Sequence, residues 1–195
     1  AVGSVVYITG NAEYSQWGDQ QFTKLESGQQ VHLGAKIRTQ TGSLVKLLLH
    51  ETNEVLIKQN SELLLEKFSS ADKGVLEEEI SLKKGAAEAE VNSGKVQNRF
   101  IIKTPAAIAA VRGTEFRINS SGDQMRGEVL EGKIDVSSDT SSQSVPAGFG
   151  VAATKGKKIL PPKALPPKPE MLKDPVKSAL PAKVSWGPVD KVSQY

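Results

Sequence analysis

Short runs of alternating apolar and polar residues, each cut off by a glycine or a polar turn, constrain this chain more than any other feature. Val2 to Ile8 alternates as a first strand, and Gly10-Asn11 turns it toward Ala12 to Trp17. Phe22 to Thr39 reads as short strands punctuated by Gly28 and Gly34. A bulge at Gly34 would place Val31, Leu33, Ile37 and Thr39 on one face. Leu44 to His50 and Val55 to Gln59 flank Glu51-Thr52-Asn53-Glu54 as a hairpin. Glu115 to Asn119 and Arg126 to Leu130 flank Ser120-Ser121-Gly122-Asp123 as another. Glycine-closed units recur at Gly10, Gly85, Gly94 and Gly132, too irregularly for a repeat of fixed period. Turn signals spaced by roughly 8 to 12 residues predict an all-β fold, built as a sandwich, a roll or a short solenoid-like stack of sheets.

Two stretches compete with that reading. Glu77-Glu78-Glu79 opens a segment with helical propensity, and Ala86, Ala87 and Ala89 do the same for Gly85 to Val91. The even spacing of Leu76, Ile80 and Leu82 favours a strand from Val75 to Leu82, and Gly94 cuts the second helix short.

The least generic segment is Lys103 to Asn119, K-T-P-A-A-I-A-A-V-R-G-T-E-F-R-I-N. Thr104 before Pro105 is held extended by the proline ring. Thr104-Pro105-Ala106-Ala107 also has the pattern of a helix start, which predicts at most a short helical turn near 105–111, ended by Gly113. The small apolar run Ala106 to Val111 implies close packing, and Gly113 implies positive φ or close backbone approach. Arg112 beside a glycine turn has the chemistry to capture a carboxylate or phosphate. Its apolar flanks favour a structural role instead, with Arg112 and Glu115 as a buried pair that closes a kink and Thr114 satisfying backbone groups.

The run from Thr104 to Ile118, T-P-A-A-I-A-A-V-R-G-T-E-F-R-I, closely resembles the signature of the FecR-like domain family, named for the periplasmic ferric citrate regulator. The resemblance extends upstream to Gly28–Thr39, G-Q-Q-V-H-L-G-A-K-I-R-T, and downstream to Val129–Val136, V-L-E-G-K-I-D-V, and Pro146–Gly150, P-A-G-F-G, covering roughly residues 1–154. Thr104, Pro105, Arg112, Gly113, Thr114, Glu115 and Phe116 carry its most specific part. The resemblance implies an all-β domain of the cell envelope, periplasmic or otherwise exported, without catalysis or cofactor, on the sensing side of a signalling system and in contact with an envelope protein partner.

Charge and proline divide the chain at the same place. Residues 1–154 carry 16 Lys and Arg against 19 Asp and Glu, whereas residues 155–195 carry 9 Lys against 3 acids. The basic excess therefore belongs to the tail, and a slightly acidic globular part argues against a nucleic-acid face. Only Pro105 and Pro146 precede residue 155, while Leu160–Pro169, L-P-P-K-A-L-P-P-K-P, begins a stretch suited to polyproline II. The expected organisation is a β domain over 1–154, a Pro/Lys-rich linker over 155–182, and at 183–195 the start of a following domain. The last twelve residues, Val184–Tyr195, V-S-W-G-P-V-D-K-V-S-Q-Y, resemble the opening strand and turn of a fibronectin-like β domain. The start Ala1-Val2-Gly3, without Met, fits a mature product after removal of a signal peptide or a boundary within a longer chain. No apolar run approaches the roughly 20 residues that a spanning helix needs.

Motifs for chemistry are sparse. There is no cysteine, which excludes disulfides and thiolate metal sites, and there are no phosphate-loop or dinucleotide fingerprints. His32 and His50 read as surface histidines without metal-site spacing, and Glu77-Glu78-Glu79 and Glu88-x-Glu90 read as solvated charge runs. No cofactor is expected. The reading is a non-catalytic envelope interaction or signal-relay module of a larger protein. The alternative is a carbohydrate- or peptidoglycan-binding module that stacks cell-wall glycan on Tyr7, Tyr14, Trp17 and Phe22.

Overall fold

The computed structural model describes residues 1–16, 19, 21–69, 75–92 and 97–167. These residues form strands and turns, with no helix among them. The strands are β1 (Gly3–Thr9), β2 (Ala12–Ser15), β3 (Thr23–Lys24), β4 (Gln30–Val31), β5 (Lys36–Thr39), β6 (Leu44–Leu49), β7 (Asn53–Ile57), β8 (Glu62–Ser69) and β9 (Val75–Val91). They continue with β10 (Gln97–Lys103), β11 (Ile108–Val111), β12 (Thr114–Ser121), β13 (Gln124–Glu131), β14 (Lys133–Ser137), β15 (Ser142–Pro146), β16 (Phe149–Thr154) and β17 (Lys163–Ala164).

Strict alternation of buried and exposed side chains, as in β12 and β14, shows each strand buried on one face only. Two layers satisfy that pattern. One sheet, here sheet A, runs β4-β1-β6-β7-β9-β12-β13-β16-β17, and the other, sheet B, runs β3-β2-β5-β8-β9-β10-β11-β14-β15. The chain passes repeatedly from one sheet to the other, so neighbouring strands in a layer are often distant in sequence. Between the layers lies one apolar cluster that includes Ile37, Leu63, Ile80 and Phe100 from sheet B with Leu47, Ile57, Phe116 and Ile118 from sheet A.

β9 belongs to both sheets. Its first half pairs antiparallel with β8 and parallel with β10, and its second half pairs with β7 and β12. Gly85, at φ 92°, makes the transfer possible, and a Cβ there would lie 2.5 Å from Ser61 Cα. Ser61 Oγ accepts a hydrogen bond from Ala86 N (3.0 Å), which ties the crossing point to the chain before β8. The alanines of residues 86–89 thus lie in a strand and not a helix: Ala87 and Ala89 alternate into the core, and pairing on both flanks outweighs their helical propensity.

The two expected hairpins are present as β6–β7 and β12–β13, turning at His50-Glu51 (φ 43° and 60°) and at Gly122 (φ 57°). The shared face expected for Val31, Leu33, Ile37 and Thr39 is not. Val31 lies in sheet A and Ile37 and Thr39 in sheet B, so the chain changes layer between them and leaves Leu33 47% exposed.

Contacts continue past the boundary read at residue 154. Ile159 is buried in the common core and its N–H donates to Ser141 Oγ (2.7 Å). β17 then pairs with β16, and Leu165 N donates to Gly148 O (2.8 Å). The chain from 168 onward, with most of the linker and the fibronectin-like stretch, lies outside the described residues.

Candidate functional site

The signature segment begins at Thr104, whose N–H donates to Ala107 O (2.9 Å) while its Oγ1 accepts from Ala106 N and Ala107 N (3.3 and 3.1 Å). This threonine-capped turn has the chemistry of a helix start. It leads directly into β11, so the short helical turn expected at 105–111 does not form. Ala109 and Val111 then face the core, while Ile108 is 40% exposed on the outer face of sheet B.

Only Arg112 and Gly113 separate β11 in sheet B from β12 in sheet A. Gly113 adopts φ 59°, in the left-handed region that was one of the two readings of this glycine. Thr114 is buried, with its hydroxyl 2.9 Å from Lys133 O and 3.1 Å from Arg112 O, and it accepts from Lys133 N at 3.3 Å. Gly132 completes the crossing, since a Cβ there would approach Gly113 O to 2.5 Å. Phe116 is fully buried and meets Phe100 of the opposite sheet edge-on, with ring centroids 6.5 Å apart. Thr104, Gly113, Thr114 and Phe116 are therefore engaged in turn geometry, backbone hydrogen bonding and core packing, and Pro105 is exposed on the turn.

The buried Arg112–Glu115 pair is not found. Both residues are exposed, and no ion pair joins them among the described residues. Arg112 precedes the layer change and Glu115 follows it, so they face solvent on opposite sides of the molecule. Thr114 alone meets the backbone groups that the pair was expected to meet.

Beside the crossing, an open groove of about 510 Å³ is lined by Val75, Asn98, Ala110 and Val111 together with Arg99, Arg112, Lys133 and Asp135. Arg99 Nη1 lies 3.6 Å from Glu77 Oε1, and Lys133 Nζ 3.9 Å from Asp135 Oδ1. Arg112 has no acidic partner among the described residues. Asn98 is buried, and its Oδ1 has no hydrogen-bond partner among the described residues. The groove gathers three exposed cations beside the apolar Val75, Ala110 and Val111, which suits an anionic group of a partner.

A second polar site was missed in the sequence. Glu78 is fully buried, accepts from Asn53 Nδ2, and lies 2.7 Å through Oε1 from His50 Nδ1. Asn53 Oδ1 accepts in turn from Asn92 N (3.0 Å), and the His50 ring leans on Phe68 with centroids 5.4 Å apart. The solvated reading of the glutamate run thus fails at Glu78. Glu79 is also largely buried and paired with Lys103, and only Glu77, bridging Lys67 and Arg99, behaves as a surface charge. His50 is likewise a partner of a buried acid, whereas His32 is exposed as expected. The signal for Glu78 was its even spacing with Ile80 and Leu82, which places it on the core face of β9.

Of the proposed stacking aromatics, the three within the described residues lie apart from one another. Tyr7 lies opposite Lys46 in sheet A, Tyr14 packs on the core opposite Ile37 in sheet B, and Phe22 stacks beneath Arg38 with the guanidinium 3.8 Å from its centroid. Trp17 lies outside the described residues.

This architecture is that of an all-β module in which every motif residue but Arg112, Glu115 and Pro105 serves the framework. The family model described as FecR protein matches residues 35–135, more than half of the chain, and the chain belongs to that family. Two crystal structures of a proposed anti-sigma factor from Parabacteroides distasonis share the fold, at TM-scores of 0.56 and 0.55 with 19% and 20% identity. Each alignment covers 66% of this chain and 59% of the other, so the chain spans about three fifths of the length of those proteins. No curated sequence gives a significant match.

Proposed function

We propose that this domain is a non-catalytic, exported module of the cell envelope that relays a signal by contact with a protein partner. The observation that carries the reading is membership of the FecR family over residues 35–135. The likeness to a proposed anti-sigma factor supports a regulatory setting. Local geometry agrees: the signature residues build a rigid crossing between two sheets, and the exposed side chains beside it offer charge for recognition rather than an acid–base pair for chemistry. In the cell of origin, a photo-crosslinker at the exposed position 108 should capture a defined envelope protein, and deleting residues 1–167 should abolish a transcriptional response. Fractionation of the chain with the cytoplasm, or a response that survives the deletion, would overturn the proposal.

A further inference from the structure

Of the three charges in the signature, Arg117 is paired with Glu88 and Glu128, whereas Arg112 and Glu115 each sit at the centre of a row of like charges, and the rows lie on opposite outer faces. On sheet A, Glu115 is directly opposite Glu90 of β9 on one side and Glu131 of β13 on the other. All three are exposed, and none has an ion-pair partner within 4 Å among the described residues. Glu54 continues the row beyond Glu90 but is neutralised by Lys46 at 2.6 Å. On sheet B, the register Phe100↔Val111↔Ile134 places Arg112, one residue past β11, beside Arg99 and Lys133, and all three line the same groove. Arg99 also meets Glu77 at 3.6 Å and Lys133 meets Asp135 at 3.9 Å, so within the basic row it is Arg112 that has no carboxylate partner among the described residues. Like charges directly across a ladder are destabilising, so neither Arg112 nor the acidic row is explained by folding of the isolated domain.

The rows match each other. Each spans three adjacent strands, β9-β12-β13 against β10-β11-β14, with charges repeating at the common strand spacing of about 4.8 Å. We infer that the basic row of one molecule docks on the acidic row of a second copy, with Arg112 of the first opposite Glu115 of the second. Because donor and acceptor faces lie on opposite sides, the contact is head-to-tail. It leaves a free basic face at one end and a free acidic face at the other, and further copies add in the same way. The pairing places an opposite charge against each member of both rows, which converts an internal repulsion into an intermolecular attraction screened by salt. This goes beyond the relay reading and is tested independently of it.

The test uses sedimentation velocity on the 195-residue chain, with Arg112→Glu, Glu115→Arg and the double variant. Both positions are exposed, and circular dichroism confirms that each variant is folded. At low ionic strength the parent should show a weight-average mass that rises with concentration and falls to that of a monomer as salt is added. Either single reversal should abolish the rise. An equimolar mixture of the two should regain open-ended association as an alternating chain, because the two unchanged faces pair as in the parent and the two reversed faces pair with opposite sign, and the double variant should regain it by itself through the reversed junction alone. A monomeric parent at low salt would overturn the inference and assign the rows to a different partner. Association that survives both single reversals would place the contact elsewhere and overturn it equally.

Discussion

At the residue scale, the signature separates into buried polar chemistry and exposed charge, and the two respond differently to substitution. Thr114→Val keeps the shape of the side chain but removes the hydroxyl that serves both Lys133 backbone groups. It should cost about 1 to 3 kcal/mol in urea unfolding. Arg112→Ala should change stability by less than about 0.5 kcal/mol, because an exposed side chain without a partner contributes little to folding. A buried Arg112–Glu115 pair would have cost about 3 to 5 kcal/mol on losing one member, so the same melt distinguishes the two structures. Gly113 occupies the part of left-handed space that asparagine also tolerates. Gly113→Ala should therefore lose about 1 to 2 kcal/mol and Gly113→Asn visibly less, as read from paired denaturation curves. Equal losses would mean that space, and not φ, requires the glycine.

At the scale of elements, β9 joins the two sheets, and its conduct depends on Gly85. Ala at this position meets both a φ of 92° and the Ser61 backbone, so Gly85→Ala should cost about 2 to 4 kcal/mol. Hydrogen exchange should show lost protection in both halves of β9 at once, whereas loss confined to one sheet would deny that the strand acts as a unit. Two carboxylates on the outer face of sheet B are expected to make stability sensitive to acid. At Glu77 the hydrogen bond from Lys67 outweighs desolvation and holds the carboxyl below its ordinary value. At Glu62 burial raises the carboxyl, but Arg38 and Lys83 together lower it further. Both groups ionise at lower pH in the fold than in the unfolded chain. Their contribution is complete above the ordinary carboxylate value of 4.5 and disappears as pH falls through the depressed folded values. Melting temperature should drop on that acid limb, and Glu77→Gln should make the drop shallower; an unchanged limb would remove Glu77 from the account.

At the scale of the whole molecule, the sandwich uses chain from beyond the FecR match to finish its core. Ile159 fills a buried position, and β17 covers the edge of β16. A chain ending at Thr154 should be less stable than one ending at Pro167 by at least the about 1.5 to 3 kcal/mol of one buried isoleucine. Matching melting temperatures for the two would show that the segment is an appendage. The polyproline character read for residues 160–169 is compatible with this docking, since extended chain can add to a sheet edge where its remaining N–H groups reach a carbonyl, as Leu165 does at Gly148.

What the sequence by itself determined is what depends on near neighbours. The turn at residue 122, the two hairpins and the all-β class follow from glycine placement and period-two alternation, whereas the first hairpin turns one residue earlier than its polar run suggested and Gly113 took the positive φ that was one of its two readings. The signature residues that carry the family resemblance were legible for the same reason. Tertiary structure decided everything that depends on which sheet a strand joins. Whether residues 85–91 became helix or strand rested on partners in β7 and β12, far away in the chain. Glu78 was buried because the first half of β9 turned its even-numbered side chains inward, where His50 and Asn53 met its charge. Arg112 and Glu115 were separated because the chain changes layer at Gly113. In a strand ladder, spacing fixes which residues share a face, but only long-range pairing chooses the layer to which that face belongs.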